Sequence, residues 1–274
     1  MMPDALPSVR AVIDAYQLRA RKALGQHFLC DLNLTRKIAC LAGNLDGYTV
    51  FEIGPGPGGL TRALLESKAA KIIAVEKDRR FIEALQSLVA ASHGRLEVIE
   101  GDALKTALPP LAPPPRAIVA NLPYNVGTEL LIQWLREIDA YESLTLMLQS
   151  EVVDRLCARP GGKAYGRLSV IAQFCCEVRR LLTVPSTAFC PPPKVESAVV
   201  HLTPRGGRPS DVDLQALEKV TAAAFGMRRK MLRSSLKALG GEALLLRAGI
   251  DPRVRAETLT LAQFETLASL IQHP

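Results

Sequence analysis

The segment that most restricts the fold is Glu52-Ile53-Gly54-Pro55-Gly56-Pro57-Gly58-Gly59, which closes the apolar run Val50–Ile53 and leads into Leu60-Thr61-Arg62-Ala63-Leu64-Leu65. A short strand, a glycine-rich turn and a helix make a βα crossover, the repeating unit of open parallel α/β sheets. Glycines here permit positive φ and let a ligand approach the backbone closely. The loop formally matches G-x-G-x-x-G through Gly54, Gly56 and Gly59, so a dinucleotide site is one reading. Two features oppose it. Pro55 and Pro57 have no backbone N–H to offer a pyrophosphate. Glu52 places a carboxyl just before the loop, awkward beside a diphosphate and tolerable beside a sulfonium or an amino group.

Further strands follow at regular intervals. Lys71-Ile72-Ile73-Ala74-Val75 ends at Glu76, where an acid can bind ribose hydroxyls. Leu96–Ile99 ends in Glu100-Gly101-Asp102, whose Asp102 carboxylate can accept from an adenine amine, and Ala117–Ala120 delivers Asn121. Ligands of open parallel sheets sit at the carboxyl ends of strands, so Gly54, Glu76, Asp102 and Asn121 are expected to converge on one crevice. The alternative for Glu76 and Asp102 is that they cap the helices after their strands.

The fourth strand runs into Asn121-Leu122-Pro123-Tyr124. An adenine N6 is a poor nucleophile because its lone pair is delocalised into the ring. Neutral acceptors for both amine hydrogens draw that nitrogen towards tetrahedral geometry. The Asn121 side-chain carbonyl can be one acceptor. Pro123 biases Leu122 away from helical φ/ψ, which favours a fixed Leu122 carbonyl as the second. Tyr124 supplies a face for base stacking. Alone, the tetrapeptide reads equally as a strand-to-loop turn. After the glycine loop, it points to S-adenosyl-L-methionine facing a planar ring whose exocyclic amine accepts the methyl group.

These segments, with three others, carry a resemblance. Lys22-Ala23-Leu24-Gly25-Gln26-His27-Phe28-Leu29, Phe51–Thr61, Asn121–Asn125, Phe189-Cys190-Pro191-Pro192-Pro193-Lys194-Val195-Glu196-Ser197-Ala198-Val199-Val200 and Ala224–Arg233 stand in the order found in the ribosomal RNA adenine dimethyltransferases. The chain resembles most closely those acting on the small-subunit 16S rRNA. The resemblance implies that His27, Leu29, Gly54, Glu76, Asp102 and Asn121 contact S-adenosyl-L-methionine. It implies that Tyr124 and Phe189 sandwich the target adenine beside Asn121 and Leu122, and that Arg229, Lys230 and Arg233 bind RNA. For Phe189 the residue type alone suggests a core aromatic. The product implied is N6,N6-dimethyladenosine at two adjacent adenosines of the 3'-terminal hairpin of 16S rRNA in the 30S subunit. Relatives that dimethylate large-subunit RNA are the nearest alternative; Leu122 and the long C-terminal helical segment favour the small-subunit branch. A protein that keeps the fold only to bind RNA in assembly or transcription is the other.

Composition fits a polyanionic partner. The chain of 274 residues carries a formal net charge of +7 and a pI near 9.2, and its basic residues cluster. Arg10, Arg19, Arg21 and Lys22 gather near the start, and Arg229, Arg233 and Lys237 recur at i, i+4 spacing with Phe225, Leu232, Leu236 and Leu239 facing inward. A solvated helix face is the simpler account of that spacing. The six cysteines form no C-x-x-C pair and the four histidines do not join them, which argues against a metal site. Met1-Met2-Pro3-Asp4 lacks a basic, then apolar leader, so a cytoplasmic monomer with reduced thiols is expected.

The predicted class is α/β: a Rossmann-like methyltransferase sheet over residues 1–203 and a small all-helical C-terminal domain over 204–274. Asp31 caps a helix over Leu32–Ala42, and βα units run to about Gln149. Pro109–Pro115 is a stiff loop and Ala158–Arg167 a mobile one beside the site. Strands around Leu168–Phe174 and Glu196–Leu202 form a closing hairpin. Thr203–Ser210 is the linker, and helices follow at Leu214–Phe225, Arg229–Leu239 and Leu261–Ile271.

Overall fold

The computed structural model describes residues 6–18, 26–208, 212–227 and 229–272. In chain order the elements are α1 (Val9–Ala15), β1 (Phe28–Leu29), α2 (Leu32–Leu41), β2 (Thr49–Ile53), α3 (Gly59–Glu66), β3 (Lys71–Glu76), α4 (Arg79–Ala91), β4 (Leu96–Glu100), β5 (Arg116–Asn121), α5 (Gly127–Arg136) and β6 (Ser143–Gln149). Then come α6 (Ser150–Leu156), α7 (Arg167–Cys175), β7 (Cys176–Val184), β8 (Phe189–Cys190), β9 (Ser197–Pro204), α8 (Leu214–Gly226), α9 (Leu232–Ser235), α10 (Gly241–Arg247) and α11 (Leu261–Gln272). The chain divides into two compact units, residues 1–153 with 179–203, and residues 154–178 with 204–274.

The first unit is built on a seven-stranded sheet in the order β4-β3-β2-β5-β6-β9-β7, beside a two-stranded β1–β8 ribbon. β4, β3, β2, β5 and β6 run parallel to one another, and β9 runs antiparallel to β6. Every residue of β2 is buried. A parallel strand is covered on both faces, which accords with the largely apolar Val50–Ile53, Glu52 being the buried exception. From β2 the chain passes to β3 on one side, while β5 lies on the other. The gap between the ends of β2 and β5 is therefore the switch point at which open sheets bind ligands. The cap expected at Asp31 is present, accepting from the amides of Asn33 and Leu34, and Asp78 caps α4 by accepting from that of Arg80.

Residues 168–174 are helical rather than a strand. Apolar runs this short do not separate a buried helix from a strand by period alone. Here the Gly166 amide donates to Ser169 Oγ, which in turn donates to the Arg155 carbonyl, so the local polar groups close a helical turn. The strand begins only at Cys176 and neighbours β9.

The second unit packs around Leu217, Leu232, Leu245, Phe264 and Leu267, all buried. Phe225 stacks on Phe264 at 5.6 Å and meets Tyr165 edge-on. The stretch expected to be a mobile loop, 158–167, is tied down here: Tyr165 is buried, and the Gly161 amide donates to the Glu257 carbonyl.

The helix expected over Arg229–Leu239 is also corrected. Met231 is extended, and the amides of Leu232 and Arg233 donate to the carbonyls of Val254 and Pro252. Backbone partners from elsewhere thus start a fresh, short helix at Leu232, which gives way to a 3-10 turn at Lys237–Leu239. Gly240, at φ 110°, ends it, and α10 follows where no helix was expected. No described helix is long and apolar enough to cross a membrane.

Candidate active site

A cavity opens at the switch point. Its walls include Glu52, Gly54, Glu76, Asp102, Asn121 and Tyr124, with Phe28, Phe81 and Leu104 as apolar surfaces. The four strand ends singled out in the sequence do converge.

The glycine loop spends its amides on itself. Gly54 N–H donates to the Val75 carbonyl and Gly58 N–H to that of Pro55. Gly56 N–H donates to Glu76 Oε2 at 3.2 Å. With Pro55 and Pro57 lacking a donor, no amide of residues 54–58 remains for a diphosphate, which counts against the dinucleotide reading. Gly54 sits at φ 65°, where L side chains are strained. At Gly59 a Cβ would lie 2.3 Å from the Leu29 carbonyl oxygen. Leu29, whose side chain is buried, also lines the cavity.

Glu76 is not a helix cap, because Asp78 takes that place. Its Oε1 accepts from the amides of Lys77 and Asp78, both at 2.8 Å. Oε2, bonded to Gly56 alone among the described residues, keeps further acceptor capacity. Burial pushes its carboxyl above the usual range, against the pull of those three amides. Asp102 accords in part with the capping alternative. Its Oδ1 accepts from Leu104 N–H at 3.1 Å and its Oδ2 from Lys77 Nζ at 2.8 Å, an ion pair that holds the carboxyl below its ordinary value.

Glu52 was noted in the sequence for its charge but not counted among the site residues. It is 1% exposed, and Oε2 has no hydrogen-bond partner among the described residues. Burial raises its carboxyl to about 8, and Glu76 adds to the rise. A cavity with two buried carboxyls and no free loop amide suits a ligand carrying positive charge. An ammonium or sulfonium satisfies Glu52 Oε2 where a phosphate would oppose it.

The acceptor half is arranged differently. Asn121 Nδ2 donates to the His27 carbonyl at 3.3 Å, which turns Oδ1 the other way. Leu122 N–H is held by the Met147 carbonyl on β6, and its side chain is buried. The Tyr124 hydroxyl shares a hydrogen bond with Ser197 Oγ on β9. Burial raises the Tyr124 pKa. Ser197, fully buried, has a role that the sequence pattern gave no means of assigning.

Of the remaining expected residues, His27 and Leu29 line the cavity and Phe189 does not. The His27 ring lies against Tyr124 at 5.4 Å and edge-on to Phe189 at 6.4 Å. Its Nδ1–H donates to the Pro191 carbonyl at 2.9 Å. Phe189 pairs with Leu29 across the β1–β8 ribbon, is buried in the core and is absent from the cavity wall. Arg229, Lys230 and Arg233 are exposed on the second unit. Arg19, Arg21 and the Lys22–Gly25 part of the first motif lie outside the described residues.

Comparison with known proteins places this geometry. The family model described as ribosomal RNA adenine dimethylase matches residues 17–273. A ribosomal RNA small subunit methyltransferase A from Rhodospirillum rubrum is 56% identical over 98% of this chain and 93% of its own. One from Phenylobacterium zucineum is 58% identical over 98% and 94%. Among solved structures, a dimethyladenosine transferase from Plasmodium falciparum superposes with TM-score 0.75 at 25% identity, covering 88% of this chain and 96% of that one. The 23S rRNA methyltransferase ErmE superposes at 0.68 with 26% identity, covering 89% and 99%. With a family match over nearly its whole length and relatives well above half identical, the chain belongs to the ribosomal RNA adenine dimethylase family.

Proposed function

We propose that this protein transfers methyl groups from S-adenosyl-L-methionine to N6 of two adjacent adenosines in the 3'-terminal hairpin of 16S rRNA, within the small ribosomal subunit, giving N6,N6-dimethyladenosine. The observation that carries the reading is the orientation of Asn121. With its NH2 group committed to the His27 carbonyl, its Oδ1 is left to accept from an amine.

Bound S-adenosyl-L-methionine supplies an electrophilic methyl group on a cationic sulfur. The chain's own residues bind, orient and polarise. Glu76 Oε2 accepts from ribose hydroxyls, Asp102 lies on the adenine side, and Glu52 answers the positive charge. Asn121 Oδ1 and the Leu122 carbonyl accept the two hydrogens of the target amine, which raises electron density on its nitrogen. No charged general base is needed, because the amine proton becomes acidic only once the nitrogen bears the new methyl group. It then passes to solvent. Tyr124 gives the base a stacking face, and Arg229, Lys230 and Arg233 hold RNA backbone.

The nearest competing reading is methylation of large-subunit RNA. The small-subunit names of the relatives at 56% and 58% identity support the present one. Small subunits lacking the modification should accept labelled methyl groups far better than large-subunit RNA or the isolated hairpin. Equal labelling of free hairpin and subunit would defeat recognition by docking. Arg229→Ala with Arg233→Ala should weaken subunit binding and flatten its salt dependence, because fewer phosphate contacts release fewer counterions.

A further inference from the structure

The β1–β8 ribbon carries two thiols that the proposed reaction does not use. Phe28 pairs with Cys190 and Leu29 with Phe189, so Cys30, one residue beyond the ladder, stands diagonal to Cys190. Side chains two apart on a strand return to the same face. The packing agrees: Cys30 joins Phe28, Phe81 and Val12 in one apolar cluster, whereas Leu29 and Phe189 belong to another. Both thiols are free, Cys190 exposed and Cys30 half-buried.

Diagonal neighbours across an antiparallel pair stand about 7–8 Å apart at Cα, whereas a disulfide spans about 4.4–6.8 Å. The reduced pair is therefore close to bonding distance but outside it, and bond formation must draw the two strands together by about 1 Å. Such a shift reaches the site. His27, immediately before β1, offers the carbonyl that receives Asn121 Nδ2 at 3.3 Å. The Leu29 carbonyl oxygen lies against Gly59, where an added Cβ would meet it at 2.3 Å. The ribbon thus touches both turns that face the cavity.

The surroundings give the two thiols different parts. Cys190 is open to solvent and meets an oxidant first. Burial raises the Cys30 pKa and Cys190 adds to the rise, while Arg10 on α1 opposes both through its charge and a hydrogen bond to the thiol. Cys30 suits the second, intramolecular step, in which a neighbouring disulfide is attacked from within.

We propose that Cys30 and Cys190 form a reversible disulfide that shuts down the acceptor turn by displacing the His27 carbonyl from Asn121. The oxidant is a small disulfide, with glutathione disulfide as the probe. The Cys190 thiolate attacks one of its sulfurs, giving a mixed disulfide and releasing one glutathione thiolate. The Cys30 thiolate then attacks Cys190 Sγ, closing the ring and releasing the second. The two cysteines lose two electrons and two protons in all; one glutathione disulfide takes them up and becomes two glutathione thiols. The effect on turnover rests on the function proposed above, whereas the cross-link does not.

The test treats the full-length protein with glutathione disulfide. Peptide mass spectrometry without reductant should find Cys30 joined to Cys190. In Cys30→Ser the reaction should stop at glutathione on Cys190, and in Cys190→Ser it should leave both positions unmodified. Turnover on small subunits lacking the modification should fall about ten- to a hundredfold in the cross-linked protein, the cost of misplacing a catalytic group by about 1 Å. Dithiothreitol should restore it. Both serine variants should keep turnover within about twofold before oxidation and resist cross-linking, which separates the bond from damage elsewhere. Glutathione left on Cys190 of the unmodified protein, or a cross-link to another cysteine, refutes the pair. A fully active cross-linked protein refutes the switch. Absence of methyl transfer by the reduced protein would instead sink the proposed function, with the cross-link still read by mass.

Discussion

The two turns that face each other across the cavity treat their hydrogen-bonding groups in opposite ways. The glycine loop after β2 commits the amides of Gly54, Gly58 and Gly56 to Val75, Pro55 and Glu76. The turn after β5 commits its donors, Asn121 Nδ2 to His27 and Leu122 N–H to Met147, and keeps its acceptors uncommitted among the described residues. The first surface is closed to anions and lined with buried carboxyls. The second is a pair of neutral acceptors beside a ring. A cation and an uncharged amine are what such surfaces bind, and a methyl transfer from sulfonium to N6 brings those two together.

The largest expected effect tests the acceptor turn. Asn121→Ala should lower the turnover rate about a thousandfold or more, because a preorganised group aimed at the reacting atom is worth that much. Small-subunit affinity should fall only modestly, since the amide touches one amine. A variant that loses binding and turnover equally would mean Asn121 holds RNA rather than acting on the amine. On the loop side, Glu76→Ala should weaken S-adenosyl-L-methionine binding about ten- to a hundredfold by calorimetry, one to three kcal/mol for a buried charged acceptor. It also frees Gly56 N–H, so the contrast between the turns sharpens if the variant gains measurable affinity for an anionic ligand such as NADH. Unchanged donor affinity would remove Glu76 from the site.

Glu52 allows the loop side to be probed by pH. Its folded value, about 8, lies above the ordinary 4.5 because it is buried. Between those values the unfolded chain has released the proton that the folded chain still holds. Stability therefore falls as pH rises through that window, by a few kcal/mol in order of magnitude, and levels off above the folded value. Glu52→Gln should abolish the slope and unfold at higher denaturant than the unmodified protein at pH 8. A cationic ligand favours the ionised carboxyl, so donor affinity should rise with pH in the unmodified protein and much less in Glu52→Gln. Parallel pH profiles in the two proteins would show that Glu52 does not answer the donor's charge.

Legibility in the sequence followed the same divide. Strand ends and their order were readable because buried parallel strands are continuous apolar runs and Gly54, Glu76, Asp102 and Asn121 punctuate them. The helix over 168–174 was misread as a strand because Leu168-Ser169-Val170-Ile171 is mostly apolar without a period, and the Arg155 carbonyl that receives Ser169 Oγ is not visible in sequence. The basic segment at 229–239 has helical spacing, but backbone carbonyls of residues 252 and 254 break it, a partnership set only by tertiary structure. Side-chain contacts across long separations were the least readable part of the site. Nothing local to Ser197 or His27 says that one holds the Tyr124 hydroxyl and the other lies against its ring.

The smallest expected effect concerns that Tyr124 tether. Stacking needs only the ring face, so Tyr124→Phe should retain most activity, with a rate loss of a few fold. The structure adds a cost elsewhere. Ser197 Oγ is buried, and without the phenol its hydroxyl loses its partner, a penalty of about 1–3 kcal/mol in stability. Ser197→Ala combined with Tyr124→Phe removes both hydroxyls and should recover part of that stability, so the double variant should be less destabilised than the sum of the single ones. Rate should follow the ring rather than the hydroxyl: Tyr124→Ala loses both subunit binding and turnover, whereas the double variant behaves like Tyr124→Phe. If Tyr124→Phe were as inactive as Tyr124→Ala, the hydroxyl would act in the chemistry. The acceptor turn would then contain a donor at its working face, and the contrast with the glycine loop would fail.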